Sequence, residues 1–255
     1  MASPLGIMSS QIRFERDGDV AIVTLSVPHR RNALSFSLLS DLCDTVLTAE
    51  RDSNRAVVLT GSGGVFSAGA DLTEREGTAA DVAIDDAVTA TAERLLNLRI
   101  PVLAAVEGPC VGAAVDLALA CDVIIASESA WFAVPSVKLG LLYNPGAILR
   151  WYSRLPGATL RRLLLFGEKI EGESALAAGL VDRVVPSGRA VAECVRLAAR
   201  AVPGSALSAT RALLRSLDDG SFAESDWQGV RRDLLSSDER RAALASRKRI
   251  VSEEG

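Results

Sequence analysis

Hydrophobic and polar positions along this chain change period several times. Residues 20–27 alternate as a strand does, and a loop, Pro28-His29-Arg30-Arg31-Asn32, follows. Residues 35–51 then place Leu38, Leu39, Leu42, Val46 and Leu47 at helical spacing. A short apolar strand spans 56–60. Asp81 stands where it can cap a helix running to about Leu98, which the approach to Pro101 ends. A strand over 102–106, a helix over 113–120 and a strand over 122–126 complete the rhythm. Alternating strands and helices with uniformly apolar strands predict an α/β core. The last third is almost wholly helical in pattern, with helices predicted at 161–166, 174–178, 190–201, 205–217 and 222–249. Gly179, Pro203 and Gly220 punctuate it, and 181–185 is its one strand candidate. We therefore divide the chain into a core, 1–200, and a helical C-terminal region, 201–255.

Composition narrows the function class. The chain has 255 residues, 49% hydrophobic and 24% charged, enough to bury a sizeable core. A net charge of −4 offers no field for nucleic acid. Cys43, Cys110, Cys121 and Cys194 lie far apart without a paired motif, as reduced thiols of a cytoplasmic protein do. Residues 1–10 lack the basic start and apolar stretch of a secretion signal. The most apolar region, 102–126, is interrupted by Glu107, Pro109, Asp116 and Asp122, so no membrane span is expected. His29 is the sole histidine, which argues against a zinc site or a Ser-His-Asp triad. Residues 61–66 imitate a dinucleotide fingerprint, but Phe66 stands at the last glycine position and no P-loop lysine follows.

Two glycine-containing turns each follow an apolar strand: Phe66-Ser67-Ala68-Gly69-Ala70-Asp71-Leu72 and Glu107-Gly108-Pro109-Cys110-Val111-Gly112-Ala113-Ala114. Small residues admit close backbone approach, and amides at a helix start lack intrahelical acceptors. Two such turns can aim two N–H groups at one developing oxyanion. Asp116 follows Ala113 by three residues, on the helix face that carries the turn's amides. It can move a proton beside the polarised carbonyl, or it can simply satisfy the helix dipole. Its apolar neighbours favour the first role.

These residues resemble the crotonase (enoyl-CoA hydratase/isomerase) superfamily. The matching segments are Arg31-Asn32-Ala33-Leu34-Ser35, Val57-Val58-Leu59-Thr60-Gly61, residues 66–72 and 101–122, and Gly179-Leu180-Val181-Asp182-Arg183-Val184-Val185. The resemblance implies an α/β fold of spiralling ββα units with a helical C-terminal trimerisation region. It implies a homotrimer or a hexamer of paired trimers, and an acyl-CoA thioester as substrate. Coenzyme A would then arrive as part of the substrate, with no permanently bound cofactor and no metal. By the same resemblance, the N–H groups of Ala68 and Ala113 form the oxyanion hole. Arg31, Ala33, Ala68, Gly69, Ala70, Asp71 and Leu72 line the coenzyme path, and Lys248 approaches its phosphates.

Departures from the family pattern bear on the reaction. Similar hydratases use two glutamates to orient water. Asp116 stands at the first position and Ser136, in Val134-Pro135-Ser136-Val137-Lys138-Leu139-Gly140, at the second. A serine hydroxyl is a poor general base near neutral pH. Leu139-Gly140-Leu141-Leu142-Tyr143-Asn144 resembles a stretch of the methylmalonyl-CoA decarboxylase branch, in which a tyrosine adjoins the substrate carboxylate. Three readings follow: a lyase or isomerase with Asp116 as acid/base, a malonyl-type decarboxylase using Tyr143, and a catalytically silent acyl-CoA binder.

Overall fold

The computed structural model describes residues 11–253. They form two compact units, one ending at Ala201 and one starting at Val202. In the first unit the elements run β1 (Ile12–Asp17), β2 (Val20–Leu25), α1 (Phe36–Arg51), β3 (Ala56–Gly61), α2 (Val82–Asn97), β4 (Val102–Val106), β5 (Pro109–Val111) and α3 (Ala113–Leu119). Then come β6 (Val123–Ser127), β7 (Trp131–Ala133), α4 (Pro145–Arg154), α5 (Gly157–Phe166), β8 (Ile170–Glu171), α6 (Gly172–Ala177), β9 (Arg183–Val185) and α7 (Ala190–Ala198). The second unit holds α8 (Ser205–Asp218), α9 (Glu224–Leu235) and α10 (Asp238–Glu253).

The main sheet has the order β1-β2-β3-β4-β6-β9, parallel except for the β1–β2 hairpin. Its inner strands β2, β3, β4 and β6 are largely apolar because both their faces are covered, whereas the edge strand β1 carries exposed charged residues. Val57 and Leu59 join the core beneath α1, α2 and α3, whereas Ala56 and Val58 face Ala190, Cys194 and Ala198 of α7. A second sheet, β5-β7-β8, carries the chain away from the first at the point where the site is built.

Several elements differ from the sequence expectation. The hairpin strand β1, the small sheet and α4 were not anticipated; β5, β7 and β8 are only two or three residues long and pair non-locally. Asp81 caps nothing with its side chain. Its carboxylate instead accepts from the amides of Glu76 and Gly77, closing the turn before α2. The single helix expected over 222–249 is two, because Ser237 accepts from the Arg240 amide and starts α10 afresh.

One buried side chain ties the site-bearing loops together. Asn32 adopts a left-handed φ of 54°, which asparagine tolerates better than most residues. Its Oδ1 accepts from the Val27 amide at 2.9 Å, while Nδ2 donates to the carbonyls of Ser62 at 3.0 Å and Val65 at 2.8 Å. The loop after β2 is thereby fixed to the turn after β3. Replacing Asn32 with Ala leaves those backbone groups without their partner, and a buried orphan costs about 1–3 kcal/mol. We expect Asn32→Ala to lower the unfolding free energy by at least that amount in urea titration; an unchanged midpoint would contradict the role.

Candidate active site

Residues 67–71 run as an extended segment between the 31–34 loop and β5. Ser67 pairs with β5: its N–H donates to the Pro109 carbonyl, and its own carbonyl accepts from Val111. On the other side Leu34 donates to Gly69 O and accepts from Asp71 N. Gly69, with φ of +89°, breaks the regular alternation between these two edges. In the Leu34–Ala70 parallel bridge, the flanking residues 69 and 71 make the hydrogen bonds, so the N–H of Ala70 faces away from Leu34. Gly69 also has to lack a side chain, because a Cβ there would stand 2.5 Å from the Val111 carbonyl and 3.3 Å from the Ala113 nitrogen. The two turns are therefore in direct backbone contact.

This arrangement corrects one expected donor. The N–H of Ala68 is committed to the Arg31 carbonyl at 3.0 Å and is not available to a ligand. Among the described residues, no protein acceptor meets the N–H of Ala70 or of Ala113. Ala113 is the first residue of α3, so no intrahelical acceptor exists for it. Gly112 reaches this helix start with φ of 57° and ψ of −121°. Both alanines line one cavity of about 270 Å³.

The same cavity gathers Ala68, Gly69, Leu72, Asp116, Ser136 and Tyr143. Arg31, Ala33 and Asp71 do not line it. Arg31 and Asp71 serve the scaffold: Arg31 supplies the carbonyl for Ala68, while Asp71 pairs with Arg30 and caps the turn at Thr73. Lys248 belongs to the C-terminal unit. Ser136 is buried at the start of a short 3₁₀ turn, and among the described residues its hydroxyl meets no protein partner.

Asp116 is only 1% exposed. Oδ1 accepts from Trp151 Nε1 at 2.8 Å and from Arg150 Nη2 at 3.0 Å, and Oδ2 accepts from the same Nη2 at 2.8 Å. Burial pushes the carboxyl above its ordinary range, and this outweighs the opposing pull of Arg150 and Trp151; Glu93 adds a small upward push. Each carboxylate oxygen can accept about two hydrogen bonds, so Oδ2 keeps one site. The Tyr143 ring lies 4.7 Å from that of Trp151, with its hydroxyl 3.5 Å from the Gly112 carbonyl. Burial and Asp116 hold the phenol well above its usual range, so it is a neutral donor.

The sequence profile of the enoyl-CoA hydratase/isomerase family matches residues 15–229. The chain belongs to this family. A probable mitochondrial enoyl-CoA hydratase of Dictyostelium discoideum is 33% identical over 218 residues, covering 85% of this chain and 78% of that protein. The 2,3-dehydroadipyl-CoA hydratase of Escherichia coli is 34% identical over 209 residues, 81% of this chain and 82% of the relative. Among solved structures, an enoyl-CoA hydratase/carnithine racemase from Magnetospirillum magneticum superposes with a TM-score of 0.87 at 28% identity, covering 95% of this chain and 94% of that one. The crotonase-like fold expected from the resemblance is thus the fold the chain has. Among the described residues, no helix is long and apolar enough to cross a membrane.

Arg150 and Trp151, which hold the Asp116 carboxyl, are absent from the sequence expectation because α4 is absent from it. The signal was present: Asn144 caps the amides of Gly146 and Ala147, and Pro145 opens the helix. Removing Arg150 while keeping Asp116 should raise the Asp116 pKa further. A carboxyl whose folded pKa lies above its unfolded value loses stabilisation as pH rises through the folded pKa. The stability deficit of Arg150→Gln should therefore be small in acid and grow to about 3–5 kcal/mol near neutral pH. Urea unfolding of both proteins across this range checks it, and a pH-independent deficit would contradict the charge argument.

Proposed function

We infer that the protein is an acyl-CoA thioester enzyme whose chemistry runs through a thioester enolate. The observation that carries this reading is the pair of uncommitted amides, Ala70 and Ala113, on two turns in backbone contact beside the cavity. A thioester oxygen accepting from both would be polarised, and the charge of the enolate would be stabilised without solvent reorganisation. Asp116, three residues beyond Ala113, would then take a proton from the α-carbon through its remaining Oδ2 site and return it. Arg150 opposes the protonation that burial favours, and Trp151 fixes the plane of the carboxyl.

Proton transfer fits this site better than water addition. Two carboxylates line the cavity, Asp116 and Asp85, and Asp85 pairs with Arg75 at 2.7 Å. Ser136 can hold a water but has little basicity, so a hydratase would lack its second base. The commitment of both Asp116 oxygens to Arg150 favours one alternative, an acyl-CoA binder that retains the pocket without turnover. We also propose a homotrimer or hexamer, supported by exposed apolar residues of the C-terminal unit such as Leu214, Leu217, Phe222 and Leu235.

Incubation with butyryl-CoA and a 3-enoyl-CoA in heavy water, read by mass spectrometry, tests the reaction. We expect deuterium at the α-carbon, and in Asp116→Asn a loss of about 10²–10⁴-fold in exchange with binding nearly unchanged. Equal exchange in the variant would remove Asp116 from the chemistry. Binding without exchange in the parent protein would establish the silent binder, and carbon dioxide release from methylmalonyl-CoA would favour a decarboxylase.

A further inference from the structure

One wall of the cavity is polar in a way that the enolate chemistry does not use. Asp85, Val88 and Thr89 stand at i, i+3 and i+4 on one face of α2, and all three line the cavity together with Arg75. Arg75 Nη2 donates to Asp85 Oδ1 at 2.7 Å. Its Nε is buried without a hydrogen-bond partner, and among the described residues Nη1 has none either. The hydroxyl of the half-buried Thr89 has no protein partner among the described residues either. The remaining lining sets the apolar Val134, Leu139 and Leu141 beside the polar residues of the reaction site, Asp116, Ser136, Tyr143 and Asn144.

A plain hydrocarbon chain filling this space would displace water from Arg75 Nη1 and the Thr89 hydroxyl, the donors still open to solvent, and return nothing to them. Leaving a buried donor unmet is more costly than never burying it. An acyl group with an oxygen acceptor would instead satisfy the unmatched N–H or hydroxyl. Asp85 already balances the guanidinium charge and would repel a second carboxylate at the same wall.

We propose that Arg75, with Thr89, is a specificity determinant for acyl-CoA esters bearing an uncharged oxygen acceptor, a ketone or hydroxyl, along the acyl chain. This rests on the acyl-CoA reading above. Asp85 holds the Arg75 side chain at the wall and discriminates against dicarboxylic acyl groups. The role concerns recognition, and the proton transfer at Asp116 is unchanged by it.

Calorimetric titration of the full chain tests this with heptanoyl-CoA, its three positional keto analogues (oxo at carbon four, five or six) and pimeloyl-CoA. At least one keto ester should bind about tenfold tighter than heptanoyl-CoA, as a satisfied hydrogen bond in a desolvated site allows. Arg75→Met should abolish that preference while leaving heptanoyl-CoA bound as tightly or more so, which also shows that the variant is folded. Asp85→Asn should keep the keto preference and improve pimeloyl-CoA binding. Equal affinity for heptanoyl-CoA and all keto esters would overturn the assignment while leaving the acyl-CoA reading intact, as would a preference that survives Arg75→Met. Tightest binding of pimeloyl-CoA would overturn the uncharged acceptor. No binding of any ester would defeat the acyl-CoA reading itself.

Discussion

The site depends on the contact of two backbone turns at Gly69. There the chain passes so close to the Val111 carbonyl and the Ala113 nitrogen that a single methyl group could not be accommodated. The Ser67–Cys110 bridge holds the turns together from one side, and Leu34 holds the first turn from the other. Because Gly69 reverses the local alternation, the Ala70 amide is released toward the side where β5 gives way to α3. The direction of the two open amides is thus set by the backbone, which a point substitution of the donor residues does not easily remove. It is vulnerable instead at the glycine and at Asn32, which positions the preceding loop.

The buried carboxylates Asp71 and Asp116 are each matched by an arginine. Asp116 lies deep in the wall, and Arg150 and Trp151 between them meet both its oxygens. An unpaired carboxylate there would take up a proton and could not serve as the base proposed above. The clamp bears on the proposed reaction: it holds the carboxylate rigidly and with limited spare capacity, which suits a short proton transfer at one carbon more than the handling of a mobile water. Arg75 and Asp85 repeat the same matching on a different wall, but incompletely, and that incompleteness distinguishes recognition from support.

The α/β core was readable because both sheet faces are covered, so β3, β4 and β6 stand out as continuous apolar runs between amphipathic helices. The short strands β5, β7 and β8 were not readable, since two or three residues carry no period and are defined by partners far along the chain. Within the site, the sequence resemblance located the two turns and Asp116. It assigned the oxyanion donor to Ala68 where the structure frees Ala70. Two alanines flanking one glycine look equivalent in sequence, and only the non-local pairing with Leu34 and Arg31 tells which amide is occupied. Arg150 was hidden for a related reason: its partner lies 34 residues earlier, and nothing local to α4 points to a buried carboxylate.

The central claim is that two backbone amides polarise a thioester carbonyl. Difference infrared spectroscopy of bound butyryl-CoA labelled with carbon-13 at the carbonyl measures this directly, since hydrogen bonds from Ala70 and Ala113 weaken the C=O bond and lower its stretching frequency. The account predicts a single band shifted clearly below that of the free thioester, and the same shift in Asp116→Asn, whose amides are untouched. A bound thioester that absorbs at the solution frequency, or a shift that disappears with Asp116, would contradict it.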